Sequence, residues 1–253
     1  MADENQSNDS PPKRTLNLQT ISQNVLSTLQ RHYDILAFNL ASRSTNTHQA
    51  YVEKVQHSKL LPFPQAHMNF EQIEAFSYDF LQHHFINDML HISVACMDNC
   101  FLLCNLIAHK KELDADPTTT HQNVQAAQQS FIRLPLLEKF STYETDFGYI
   151  TDYEDMLICL GQCLQCIAQK NGIVGEEHLK EGVFRFELKK LKDDAEQGIP
   201  AEKQLETIEK VFKLNDRIRF AEEELQYITV TLTAFFHELF QFVHNYAQNQ
   251  QAP

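Results

Sequence analysis

A chain of 253 residues is long enough to bury roughly 70–75% of its unfolded surface, and 43% hydrophobic with 22% charged residues is the balance of a soluble globular protein. A formal charge of −13 and a pI near 5.3 argue against a bulk electrostatic hold on nucleic acid or an anionic membrane. Neither half differs in composition and no Gly/Ser/Pro linker divides them, so one domain over 15–247 is expected, between disordered tails at 1–14 and 248–253.

All six glycines lie between Gly148 and Gly198, and the stretches 13–61, 65–116 and 201–252 contain neither glycine nor proline. Unbroken runs of that length favour helices over strands. The N-terminal segment Met1–Arg14 is polar and has no apolar run, so it is no signal peptide. The spacing of Ile21, Val25, Leu29, Leu36 and Leu40 then predicts a helix over 18–42. A shorter helix follows through Tyr51–Ser58, ending before Leu61-Pro62-Phe63-Pro64.

Asn69 and Gln72 form a capping-box pattern that opens a long helix over 70–113. Ile73, Phe76, Phe80, Leu90, Val94, Met97, Phe101, Cys104 and Ala108 give it a heptad-like seam, with His83 and Asn87 as polar exceptions. Phe85, Ile86, Met89, Ile92 and Leu103 lie off that seam, so its middle is expected to be buried on several sides as a central pillar. No stretch reaches 18 uncharged apolar residues, and no membrane span is expected.

Beyond it, helices are predicted over Gln122–Ile132 and Tyr153–Gln169, the latter ending at Asn171-Gly172, with a loop over Phe140–Thr151 between them. Two more are expected over Glu176–Ala195 and 201–246. No convincing strand pair or internal repeat is visible. The pattern describes an all-α, single-domain bundle of roughly six to eight helices.

The most specific feature is a pair of cysteine trios: Cys96, Cys100 and Cys104, then Cys159, Cys163 and Cys166. Spacings of three and four put each trio on one helix face, so the six thiols could meet across one helix contact. Such a seam would be either close apolar packing or a soft centre for Zn, Cu(I) or an iron–sulfur cluster. Packing without any cofactor is the preferred reading. Thiols inside helical patterns also favour a reducing, cytoplasmic setting over a disulfide framework.

His84, Asp88 and His91 share a face of the long helix and could ligate zinc or iron if another helix added a ligand. His237 and His244 lie two turns apart among phenylalanines. At the aromatic end of the last helix, Phe235, Phe236, Phe240, Phe242 and Tyr246 occupy more than one side and are candidates for a partner surface.

The segment Cys104-Asn105-Leu106-Ile107-Ala108-His109 resembles the arginine–four residues–histidine motif of HEPN-family helical ribonucleases. Asn105 and His109 match the motif, and Cys104 stands where the family has arginine. The resemblance covers these residues alone. It implies a degenerate RNA-associated member, because the lost guanidinium is the group that would stabilise phosphate charge.

No phosphate-binding glycine loop, nucleophile elbow or Ser/His/Asp signature is present, which leans against an enzyme. The leading expectation is a non-enzymatic interaction or regulatory bundle, with homodimerisation through the long helices as one form of it. A thiol-based metal or redox bundle and a HEPN-like RNA-associated protein are the alternatives.

Overall fold

A computed structural model describes residues 17–56, 69–192 and 204–251. The expected N-terminal tail, the Leu61-Pro62-Phe63-Pro64 stop and the start of the helix expected over 201–246 lie outside these residues. Among the described residues the chain forms eight α-helices and one two-stranded sheet, an all-α bundle with a hairpin on its flank.

Helix α1 (Leu18–Thr45) is capped by Asn17, whose side chain accepts from Thr20 N. Helix α2 (His48–Gln56) packs His48 and Tyr51 against Phe70. The capping box at Asn69 and Gln72 is formed as read and starts α3 (Phe70–Ala108). Helix α3 is the centre of the molecule, touching α1 along one side and α8 (Glu222–Gln251) along another. Helices α5 (Pro117–Ile132), α6 (Leu136–Phe147) and α7 (Glu154–Lys170) also touch it. A short α4 (Lys110–Ala115) continues it past a bend at His109.

By length and composition α3 could cross a membrane, contrary to the sequence expectation. The same composition serves a helix surrounded by protein on several sides. Its buried residues are Tyr78, Gln82, Phe85, Ile86, Met89, Ser93, Cys96, Met97, Cys100, Phe101 and Cys104, which keep Met97, Phe101 and Cys104 of the expected seam and leave out its N-terminal half. Phe76 and Phe80 are therefore on the surface, at 59% and 58% exposure.

Helices α1 and α3 run antiparallel, since His32 meets Asp88 at 3.1 Å and Arg43 lies over the Tyr78 ring at 4.5 Å. That pairing sets Phe38 level with the Phe80–His84 turn. Phe38 and Ile35, one turn apart on α1, are 72% and 52% exposed.

Three segments differ from the sequence reading. Phe140–Phe147 is helical rather than a loop, because Phe140 and Tyr143 share the inner face of α6 and Gly148 ends it with φ 73°. Of the helices expected over Glu176–Ala195 and 201–246, the described residues 176–192 and 204–221 form no α-helix. Only a 3-10 turn spans Glu176–His178, and β1 (Phe184–Leu191) pairs antiparallel with β2 (Leu205–Phe212), with Phe184 opposite Phe212. The period-two run Phe184, Phe186, Leu188 is buried and Arg185 and Glu187 point out, which is the signature of a strand with one covered face. Glutamate and lysine, good helix formers, are frequent in both strands, whose exposed positions are Arg185, Glu187, Leu191, Thr207, Glu209 and Val211, and ion pairs cross between the strands, Arg185–Glu209 at 3.0 Å and Lys190–Glu206 at 2.7 Å. The hairpin docks on α8 through Lys189 N, which donates to Thr231 Oγ1 at 2.7 Å. Helix α8 thus begins at Glu222, and it extends to Gln251 through most of the expected C-terminal tail.

Candidate functional site

The first thiol trio lies in a sealed aromatic layer. Cys96, Cys100 and Cys104 have no solvent access. Beside them the Tyr143 hydroxyl donates to Met97 O at 2.6 Å, and Phe101 stacks on Phe131 at 3.8 Å. The Cys100 thiol is pushed well up by its hydrogen bond with Cys96 and by burial. Burial, then the neighbouring Cys100, pushes Cys104 up to about 12. Burial does the same to Tyr143, reinforced by the three thiols. One wall of this layer is an ion pair: Lys139, 2% exposed, donates to Asp98 Oδ1 at 2.6 Å and to Phe131 O at 2.7 Å.

The second trio faces elsewhere. Cys159 donates to Arg185 O at 3.3 Å and Cys166 to Ile173 O at 3.1 Å, both beyond the end of α7 in sequence. The point where α7 meets α3 is Gly161, where an added Cβ would stand 3.8 Å from Leu90. A residue two positions along a helix is about 200° round it, so the face of Cys159 and Cys163 points away from α3. The expected shared seam is not formed. Among the described residues no three His, Cys, Asp or Glu side chains gather as a metal-binding group. All six cysteines are free thiols. Burial pushes Cys163 well up and raises Cys166. Cys159 rises to about 11, through burial first and Asp155 second, with Lys180 opposing.

The polar set on α3 is divided among separate partners. Asp88 pairs with His32 on α1, His91 Nδ1 lies 3.1 Å from the Asn87 amide, and the His84 ring lies 4.2 Å from that of Phe80. At the HEPN-like positions, Asn105 donates to Phe101 O at 3.0 Å and His109 Nδ1 lies 2.8 Å from Glu112 Oε2. His237 lies 2.7 Å from the Gln241 amide nitrogen.

The aromatic end of α8 is turned mostly into the core. Phe235 and Phe236 are fully buried and Phe240, Phe242 and Tyr246 pack against the core. Their covers are the rings of the segment read as a loop: Phe140 meets Phe235, Phe147 meets Tyr246, and Tyr149 meets Phe242 at 4.7 Å.

Sequence reasoning missed a cleft of about 560 Å³ between α7 and β1, lined by Asp152, Asp155, Cys159, Gln162, His178, Lys180, Arg185 and Glu187. His178 is buried and its Nδ1 accepts from Gly175 N at 3.0 Å, so Nε2 carries the proton in the neutral ring. The Phe-x-Phe-x-Leu alternation and the Glu181-Gly182 turn, which Lys180 and Val183 close, were the available signals for this wall. A thiol and an imidazole share the cleft, but Cys159 is protonated at neutral pH and donates to a carbonyl, which is not the state of a nucleophile. Asp155 stands 3.8 Å from Lys180 at the exposed rim, and Arg185 pairs outside the cleft with Glu209. A second cavity of about 390 Å³, between α1, α8 and the far end of the hairpin, is apolar and includes Leu26, Leu191, Leu205, Val230 and Phe240.

Comparison of the chain with protein-family models, with curated proteins and with solved structures gave no match in any of the three.

Proposed function

We propose that this protein is a non-enzymatic interaction bundle that associates with a second copy of itself through the outer face of α1 and α3. The carrying observation is the exposure of Ile35, Phe38, Phe76 and Phe80 on two antiparallel helices that are level with each other. Aromatic side chains left in water on adjacent helices lose the burial worth roughly 1.5–3 kcal/mol each, and contiguous exposed apolar faces mark contacts. A two-fold axis through an antiparallel helix pair sets like on like and builds a four-helix layer. A chain of net charge −13 repels its copies elsewhere, which confines association to such an apolar patch.

Five buried thiols and the half-buried Cys159, all free, support a packing role for both trios and residence in a reducing compartment. The test is light scattering on the purified chain beside Phe38→Ser/Phe80→Ser. The wild type is expected at twice its 29.4 kDa and the double variant, folded by circular dichroism, at the monomer mass. A wild-type monomer, or a dimer indifferent to both substitutions, would remove the reading.

A further inference from the structure

The cleft between α7 and β1 contains a buried side chain with an unspent donor. The His178 side chain is 6% exposed, and its Nδ1 is taken by Gly175 N at 3.0 Å. Glu177 Oε1 stands 3.9 Å from the same nitrogen, beyond hydrogen-bond reach. The proton of the neutral ring is therefore on Nε2. Among the described residues nothing accepts from Nε2, and the side chain lines the cleft. A donor buried at a cavity wall needs an acceptor that the fold itself does not supply. The charge of the walls is unbalanced as well. Asp152, Asp155, Glu181 and Glu187 stand against Lys180 and Arg185. Arg185 is held outside by Glu209, and Lys180 reaches only Asp155, at 3.8 Å on the rim. Asp152, Glu181 and Glu187 have no ionic partner among the described residues.

We propose that this cleft binds a small organic amine that carries a neutral oxygen acceptor, an amide, ester or hydroxyl. The ammonium answers the surplus of carboxylates, and the oxygen accepts from His178 Nε2. Met156 and Phe184, both buried, give a short methylene chain an apolar surface to lie on. A carboxylate on the ligand would meet those of the cleft and be repelled. The acidic groups do not converge, because no three ligating side chains gather among the described residues, and this favours a spread organic cation over a metal ion. The volume of about 560 Å³ suits a small molecule.

The site is separate from the association face and is tested separately, by calorimetric titration of the full chain with three probes. They are lysinamide, cadaverine (the same chain without the amide) and lysine, which puts a carboxylate in its place. Wild type binds lysinamide saturably at one site and each of the others about tenfold more weakly. His178→Asn keeps an acceptor for Gly175 N but withdraws the cleft donor. It weakens lysinamide about tenfold and leaves cadaverine unchanged. Glu187→Gln, at an exposed strand position, weakens both amines by about threefold, while Asp114→Asn, the same loss of charge on α4, changes neither. Absence of lysinamide binding to the wild type, lysine binding as tightly as lysinamide, or full lysinamide affinity in His178→Asn or Glu187→Gln would each overturn the assignment.

Discussion

The two cysteine stripes occupy opposite kinds of environment, although their spacing in the chain is almost the same. The α3 stripe is sealed under Tyr143 and Phe101, walled by a buried Lys139–Asp98 pair, and satisfied within the layer. The α7 stripe puts one thiol, the half-buried Cys159, on an open, charged cleft, buries Cys163 and Cys166, and spends two thiols on carbonyls of β1 and the loop after α7. Helical periodicity says which residues share a face; the neighbouring elements decide what that face meets.

The contrast breaks most severely at Lys139. Lys139→Ala leaves Asp98 mostly buried and uncompensated, at a cost of about 3–5 kcal/mol. The matching truncation in the cleft, Lys180→Ala, removes a side chain that is 88% exposed and leaves the urea midpoint where it was. Equal midpoints for the two variants would mean the aromatic layer is not sealed.

Alkaline titration sharpens the same comparison. Thiols whose folded pKa stands above the unfolded value of about 9 keep protons that the unfolded chain loses. The unfolded state then binds fewer protons, so stability falls with rising pH. The contribution is complete below about pH 9 and is lost by about pH 11 for Cys159 and about pH 12 for Cys104. Urea midpoints should fall between pH 9 and 11, and less steeply in Cys104→Ala. Alkylation should mark Cys159 first in the native protein, as the half-buried thiol, and slowly at neutral pH because the thiol is protonated there, and all six after denaturation.

The smallest effect belongs to the cleft's edge. Glu181 holds φ at 51°, a left-handed conformation that glycine adopts without steric cost. Glu181→Gly should therefore stabilise by roughly 0.5 kcal/mol, the steric relief less the entropy glycine loses. A loss of stability would show that the turn depends on the glutamate side chain.

The helices with explicit signals were legible. Asn69 and Gln72 announced α3, and the apolar spacing from Ile21 to Leu40 announced α1. The hairpin was hidden because both strands are rich in glutamate and lysine, which read as helix, while the buried alternation spans only Phe184, Phe186 and Leu188. Missing α6 then misplaced the partner surface. With Phe140–Phe147 read as a loop, the rings of Phe235 and Tyr246 had no cover, and the exposed pair Phe76 and Phe80 was assigned to a buried seam. Cysteine burial was legible; the direction each stripe faces required the positions of α6 and β1, which no local pattern encodes.

Hydrogen exchange of the wild-type chain, compared between dilute and concentrated solution, tests the association face most directly. The account predicts concentration-dependent protection in peptides covering 31–42 and 73–84, with 235–246 unchanged. Protection that rises along 235–246 instead, or nowhere, would contradict it.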